Sequence, residues 1–169
     1  MSANIHTSLS PQVKKLLSGV GAKVRTYSEL TSKVNLSFDA VANNPELLNQ
    51  IKNQKALHIN EMQMIAVDDA ALTSTEEANE LVLHELVHMT AAKLNRIYEG
   101  EQGKETEEVV AQIGMFKLVL VLGLNPAWYA DSTLEYIKGF QKANFKRAEI
   151  DSDKAVEYLV KQVGLEKVA

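Results

Sequence analysis

The 169-residue sequence predicts an α+β fold that is mostly helical, with a small sheet confined to its first half. Three observations predict it. Stretches of strand character, "KVRTY" at 23–27 and "ALHINEMQMIAVDDAAL" at 56–72, occur only before residue 75. Beyond that point the chain reads as long helices with capping-box starts and glycine or proline stops. No internal repeat, low-complexity tract or Pro/Gly-rich linker divides it. A single domain over 1–169 is therefore expected, with N-terminal helices and a strand over 1–55 and a core over 56–163.

The elements follow in order. Pro11 suits the first turn of a short helix in "PQVKKLLSGVG", and the region from Gly19 to Gly21 stops it. "KVRTY" alternates and is rich in β-formers, so it predicts a strand. A second helix is expected in "PELLNQIKNQ", residues 45–54, after Pro45. The apolar positions of 56–72 do not keep helical period, which predicts one or two strands ending at the acidic pair Asp68 and Asp69. Ser74 and Glu77 have capping-box spacing and open a long helix over about 75–95, ended by the polar stretch with Gly100 and Gly103. A second long helix is expected over roughly 104–122, closed by Gly123 and Pro126. Ser132 and Glu135 predict a further helix running through "LEYIKGFQKANFKR", and a last helix is expected over about 152–163 before Gly164.

The apolar fraction of 46% and charged fraction of 24% are those of a globular protein rather than a disordered one. With no cysteine there is no disulfide framework, thiolate nucleophile or Cys-based zinc site, so any metal must be held by His, Asp or Glu. A net charge of −4 does not support a protein whose main work is neutralising phosphates; nucleic-acid binding stays possible but unsupported by charge. The N-terminus has no signal-like apolar stretch. The longest apolar segment, 109–124, is interrupted by Gln112 and Lys117 and reads as a core helix, so no membrane partner is expected. The expected location is the bacterial cytoplasm, or a virion if the chain is phage-encoded.

Chemistry concentrates in "LVLHELVHMT", residues 81–90. Residues four apart on a helix are rotated by only about 40°, so His84 and His88 present both imidazoles to one side and can share an ion. Glu85 is rotated by about 100° from His84, beside the ion, where it can take a proton from a metal-activated water. This is the H-E-x-x-H arrangement for Zn²⁺, with Glu85 as general base. A catalytic zinc normally has a third protein ligand. The next helix supplies Glu107 and Glu108, and a short connection would bring its start beside His88 as an antiparallel neighbour. Glu108 is preferred, with Glu107 in reserve or an ordinary acidic first turn. Gln112, one turn beyond Glu108, could orient a ligand.

"NELVLHELVHMTAAKLNR", "TEEVVAQIGMF", "WYADSTLEYIKGF" and "DSDKAVEYLV", in this order, resemble the zincin-like metallopeptidase domain of ArdC-type antirestriction proteins and related phage and plasmid polyvalent proteins. The resemblance covers about residues 57–163. It implies a zincin-like fold in which His84 and His88 bind zinc, Glu85 is the base and Glu108, on the antiparallel helix, is the third ligand. Met89 and Gln112 depart from the family pattern, and the family's N-terminal single-strand DNA-binding region has no evident counterpart. The implied activity is peptide-bond hydrolysis of a protein or peptide substrate. The alternative is an antirestriction, DNA-protection or virion-associated protein whose metal site is structural.

Other residues are candidates with simpler readings beside them. "MQMIAV", residues 62–67, could be a sheet edge that pairs with an extended peptide, or a core strand. Lys138, Lys142 and Lys146 could form a basic stripe on the third long helix, or a solvated face. Tyr98, Trp128, Tyr129, Tyr136 and His58 are possible oxyanion donors, His58 reading most simply as structural. Asp68 and Asp69 could add a ligand, with a turn before the long helix as the simpler role.

Overall fold

The computed structural model describes residues 4–31 and 44–165. The chain forms two compact units, Met1–Glu85 and Leu86–Ala169. The architecture is mostly helical with one small three-stranded sheet among the described residues, an α+β arrangement.

The first unit begins with α1 (Ile5–Ser8) and α2 (Pro11–Val20). Pro11 occupies the first turn of α2, where its missing N–H is not needed, and Gly21 at φ 72 ends the helix. β1 (Lys23–Thr26) follows, then α3 (Tyr27–Thr31) and α4 (Pro45–Asn53). β2 (Ala56–Ile59) and β3 (Met64–Val67) are antiparallel, joined through a 3₁₀ turn at Asn60–Met62. β1 lies parallel to the other side of β3 in the register Lys23↔Met64 to Thr26↔Val67.

β3 is therefore the central strand, hydrogen-bonded on both sides, and all four of its residues are buried. This corrects the sheet-edge reading of residues 62–67: continuous burial, rather than alternation, is the mark of a strand covered on both faces. Tyr27, Leu30, Leu57, Met64 and Ala66 form a core beside it. Asp68 caps a second 3₁₀ turn at Asp69–Ala71 by accepting the N–H of Ala70, and Asp69 accepts the N–H of Ser28 at 3.0 Å. Asp68 thus has the turn role, while the Asp69 carboxylate holds the first turn of α3.

α5 (Thr75–Lys93) is continuous through Glu85 and Leu86. The hydroxyl of Ser74 accepts the N–H of Glu77 at 3.0 Å, the contact that the Ser-x-x-Glu spacing predicts. The helix ends earlier than the glycines suggest. Asn95 adopts φ 51, and the N–H of Arg96 turns back to the carbonyl of Ala91 at 2.9 Å, a left-handed helix stop made without glycine.

In the second unit, α6 (Gly100–Val121) is the central element and packs chiefly along α8 (Phe145–Gln162), with α7 (Ala127–Ile137) as a smaller neighbour. Val109, Val110, Ala111, Met115, Leu118 and Val119 supply its buried face. Facing residues on α8 include Ala148, Ala155, Leu159 and Val160, buried at helical spacing. Gly100 and Gly103 lie inside α6 rather than in a connection. Gly103 is small because Tyr98 crosses it: a Cβ there would stand 2.7 Å from the Tyr98 carbonyl carbon. Gly114 meets α5 in the same way, its missing Cβ leaving room for the methyls of Val87 at 2.9 and 3.0 Å. No described helix is long and apolar enough to cross a membrane.

The expected helix from Ser132 through Arg147 is corrected. Ser132 and Glu135 lie within α7, the chain turns over 138–144, and α8 starts at Phe145, well before the expected 152. Asn144 caps α8 by accepting the N–H of Arg147 at 3.0 Å. Lys138, Lys142 and Lys146 consequently fall on the end of α7, the turn and the start of α8, and form no single-helix stripe. Lys138 pairs with Glu135, and Lys142 pairs with Glu101.

Asp151 on α8 is 5% exposed and accepts hydrogen bonds from the Tyr98 hydroxyl and, at 2.9 Å, from Arg147 Nε. Burial pushes its carboxyl up, but the Tyr98 hydrogen bond and the Arg147 charge outweigh burial and hold it below its ordinary value. A depressed folded-state pKa stabilises the fold above the unfolded value of about 3.9 and ceases to do so as pH falls through the folded value. Asp151→Asn is expected to cost about 1–3 kcal/mol at neutral pH and to flatten the loss of stability below about pH 4. Denaturant melts followed by circular dichroism across that range check it; identical slopes for variant and parent would show that the carboxylate contributes no acid sensitivity.

Candidate metal centre

His84, Glu85 and His88 stand within little more than one turn of α5, and one potential donor atom from each lies within 4.8 Å of the others. Both histidines are buried, each 8% exposed, among Val82, Leu83, Leu86 and Val87. The Glu85 side chain is 12% exposed. Polar groups in such surroundings must be paired to offset their loss of water. Glu85 Oε2 lies 2.7 Å from His58 Nδ1, on β2, within the first unit. The structure thus sets His58 on the carboxylate of Glu85, a contact that the sequence did not signal.

His88 is held by two carboxylates of α6, both within the second unit. Its Nδ1 lies 3.0 Å from Glu107 Oε1, and its Nε2 lies 3.3 Å from Glu108 Oε1. Burial pushes the Glu107 carboxyl up, but hydrogen bonds from Arg96 and His88, and their charge, prevail and keep it below the ordinary glutamate value. Glu107 is accordingly an anion that can only accept, so His88 Nδ1 carries the hydrogen. In its neutral form His88 then turns the lone pair of Nε2 toward an oxygen of Glu108, and in its charged form Nε2 donates to that oxygen.

Two acceptors facing each other at 3.3 Å are relieved by a cation or a proton between them. An ion bound tetrahedrally with bonds of about 2.0–2.2 Å separates its ligand atoms by about 3.4 Å, which matches the spacing observed. Imidazole nitrogens with carboxylate oxygens suit Zn²⁺ or Mn²⁺. The residues present therefore fit a divalent ion.

The Tyr136 hydroxyl donates to the other oxygen of Glu108 at 2.8 Å. The remaining candidates are dispersed. Gln112 is buried and donates to Thr133 Oγ1 at 3.2 Å. Tyr98 is engaged with Asp151, Tyr129 is buried against Trp128 in an edge-on ring contact, and Trp128 itself is 41% exposed. Glu107, weighed in the sequence as an ordinary acidic first turn, instead contacts His88. Its only sequence signal is the Glu-Glu doublet, which cannot say which carboxylate meets which nitrogen. Arg96 carries no signal at all, because its position depends on the left-handed turn at Asn95.

No protein-family model matches the sequence, and no curated protein matches it. Solved structures do match, among them two forms of one protein. The Mn(II)-bound antirestriction protein ArdC from plasmid R388 is 24% identical with a TM-score of 0.54, over 92% of this chain and 53% of that one. Its metal-free form is 22% identical with a TM-score of 0.56, over 96% of this chain and 52% of that one. The fold is therefore ArdC-like, and the chain spans about half the length of the ArdC chain that it resembles.

Proposed function

We propose that this chain is a divalent-cation-binding domain of the antirestriction type, in which His84, His88 and Glu108 hold the ion. The observation that carries the reading is the approach of His88 Nε2 to Glu108 at 3.3 Å, in a helix that also brings His84 alongside. The ArdC-like fold supports the antirestriction role, and a Mn(II)-bound form of that neighbour supports metal binding by this scaffold. Zinc is the ion expected from the donor set and manganese the one found in the neighbour; either satisfies two nitrogens and an oxygen. The net charge of −4 favours a protein partner over direct neutralisation of DNA phosphates.

One feature favours a second reading, hydrolysis of a peptide bond in a protein or peptide substrate. Glu85 follows the first ligand and has a partner, His58, at 2.7 Å, which suits a carboxylate that accepts a proton and passes it on. A bound ion supplies acidification of a water and polarisation of a carbonyl. The chain itself supplies the base at Glu85, the orienting contact from His58, and the Tyr136 hydroxyl that steadies Glu108.

The test introduces unmodified plasmid DNA into cells that carry a restriction enzyme, with the wild-type chain or His84→Ala expressed. The wild-type chain is expected to raise transformation and to purify with an equimolar divalent ion. His84→Ala is expected to do neither. Transformation no higher with the wild-type chain than without it would sink the antirestriction reading, an equal gain with both would sink its dependence on the ion, and a wild-type chain that takes up neither zinc nor manganese on titration would sink the metal site.

A further inference from the structure

Behind His88, on the side away from Glu108, lies an arrangement that coordination by itself does not require. Arg96 is among the most buried cations described, its side chain 4% exposed. Its fork grips Glu107 twice, Nε to Oε2 at 2.7 Å and Nη2 to Oε1 at 2.8 Å. The same guanidinium reaches the carbonyl of Val87 from Nη2 at 3.0 Å and the hydroxyl of Thr90 from Nη1 at 2.9 Å. Thr90 in turn donates to that carbonyl at 2.6 Å. Every one of these residues belongs to the second unit.

The guanidinium therefore ties Glu107 to the turn of α5 that bears His88. A planar fork against a carboxylate fixes orientation as well as distance, which an ammonium could not do. We infer that Arg96 and Glu107 are positioning residues that lock His88 in the Nδ1–H tautomer, so that Nε2 is the nitrogen offered to the ion. The inference rests on the metal-binding reading above and says how that site is kept ready. Carboxylates behind ligating histidines fix tautomer and ring orientation, and their loss typically weakens metal binding by about 10–100-fold.

The isosteric variant Glu107→Gln separates orientation from packing. Arg96 and His88 aim three N–H donors at the two Glu107 oxygens, and the variant keeps only one oxygen, so its NH₂ must meet one of those donors and the hold on the Nδ1 hydrogen of His88 is weakened. The experiment records long-range ¹H–¹⁵N correlations of histidine-labelled, metal-free protein, followed by competition for Zn²⁺ against a chromophoric chelator. With the ring kept neutral by alkaline buffer, the parent is expected in the Nδ1–H form; Glu107→Gln with the Nε2–H form populated beside it, binding zinc about 10–100-fold more weakly; and Glu107→Asp, which keeps a carboxylate, in the Nδ1–H form. A Gln variant that keeps both the parent's tautomer and its affinity overturns the inference. Should that variant lose its helical circular dichroism, the parent's spectrum decides: the Nδ1–H form supports the lock and the Nε2–H form refutes it. Because tautomers are read without metal, a parent that binds no zinc defeats the metal reading separately.

Discussion

On the peptide-hydrolysis reading, Glu85→Gln is expected to hold its ion as tightly as the parent while losing cleavage by about 10²–10⁴-fold, the usual contribution of a positioned general base. The expectation comes from the division of labour along one helix. His84 and His88, four residues apart, turn their nitrogens to a common side, while the carboxylate of Glu85 sits beside them and meets His58 instead. Replacing a carboxylate by a carboxamide leaves its volume and one oxygen in place but removes the proton acceptor. Zinc titration of both proteins, together with cleavage of a mixed peptide library read by mass spectrometry, gives the two quantities. A Gln variant that cleaves as fast as the parent would remove Glu85 from the reaction.

Arg96→Leu is expected to destabilise the second unit by about 3 kcal/mol. The loss arises less from the missing bonds than from what remains: Glu107, 22% exposed, keeps its charge with only His88 to answer it. Removing one member of a buried ion pair typically costs about 3–5 kcal/mol, and the partial exposure of Glu107 places this case at the lower end. The double variant Arg96→Leu/Glu107→Leu should recover most of that stability, because an apolar pair of similar volume carries no orphaned charge. It should not recover zinc affinity, since His88 Nδ1 then has no acceptor. Chemical denaturation of the four proteins of this cycle measures the coupling. A double variant as unstable as Arg96→Leu would mean that the guanidinium stabilises by packing alone.

Local chemistry was the legible part of this chain. Strand character before residue 75 and helix character after it follow from periodicity, and the observed β1, β2, β3 and α5 lie where that pattern places them. Ser74 and Glu77 announce the start of α5 because a capping hydroxyl and the N–H it receives are only three residues apart. The clustering of His84, Glu85 and His88 is legible for the same reason: one helical turn is a property of backbone geometry. Ser132 and Glu135 show the limit of such reasoning, for the same spacing also occurs in a helix interior, and here α7 had begun at Ala127.

What the sequence determined by itself, then, is whatever depends on neighbours within a turn or a strand pair: the elements, the H-E-x-x-H face, and the exclusion of thiolate chemistry by the lack of cysteine. Tertiary structure alone decided the rest. The break between α7 and α8 is held by α6, whose Glu105 and Thr106 accept the N–H groups of Lys142 and Asn144 at 2.6 and 3.0 Å. The assignment of Glu107 to one nitrogen of His88 and Glu108 to the other, and the arrival of Arg96 behind them, likewise need two helices at one spacing. Such contacts join residues 11 to 38 positions apart, and the energy of a side-chain hydrogen bond depends on a few tenths of an ångström that no local pattern encodes.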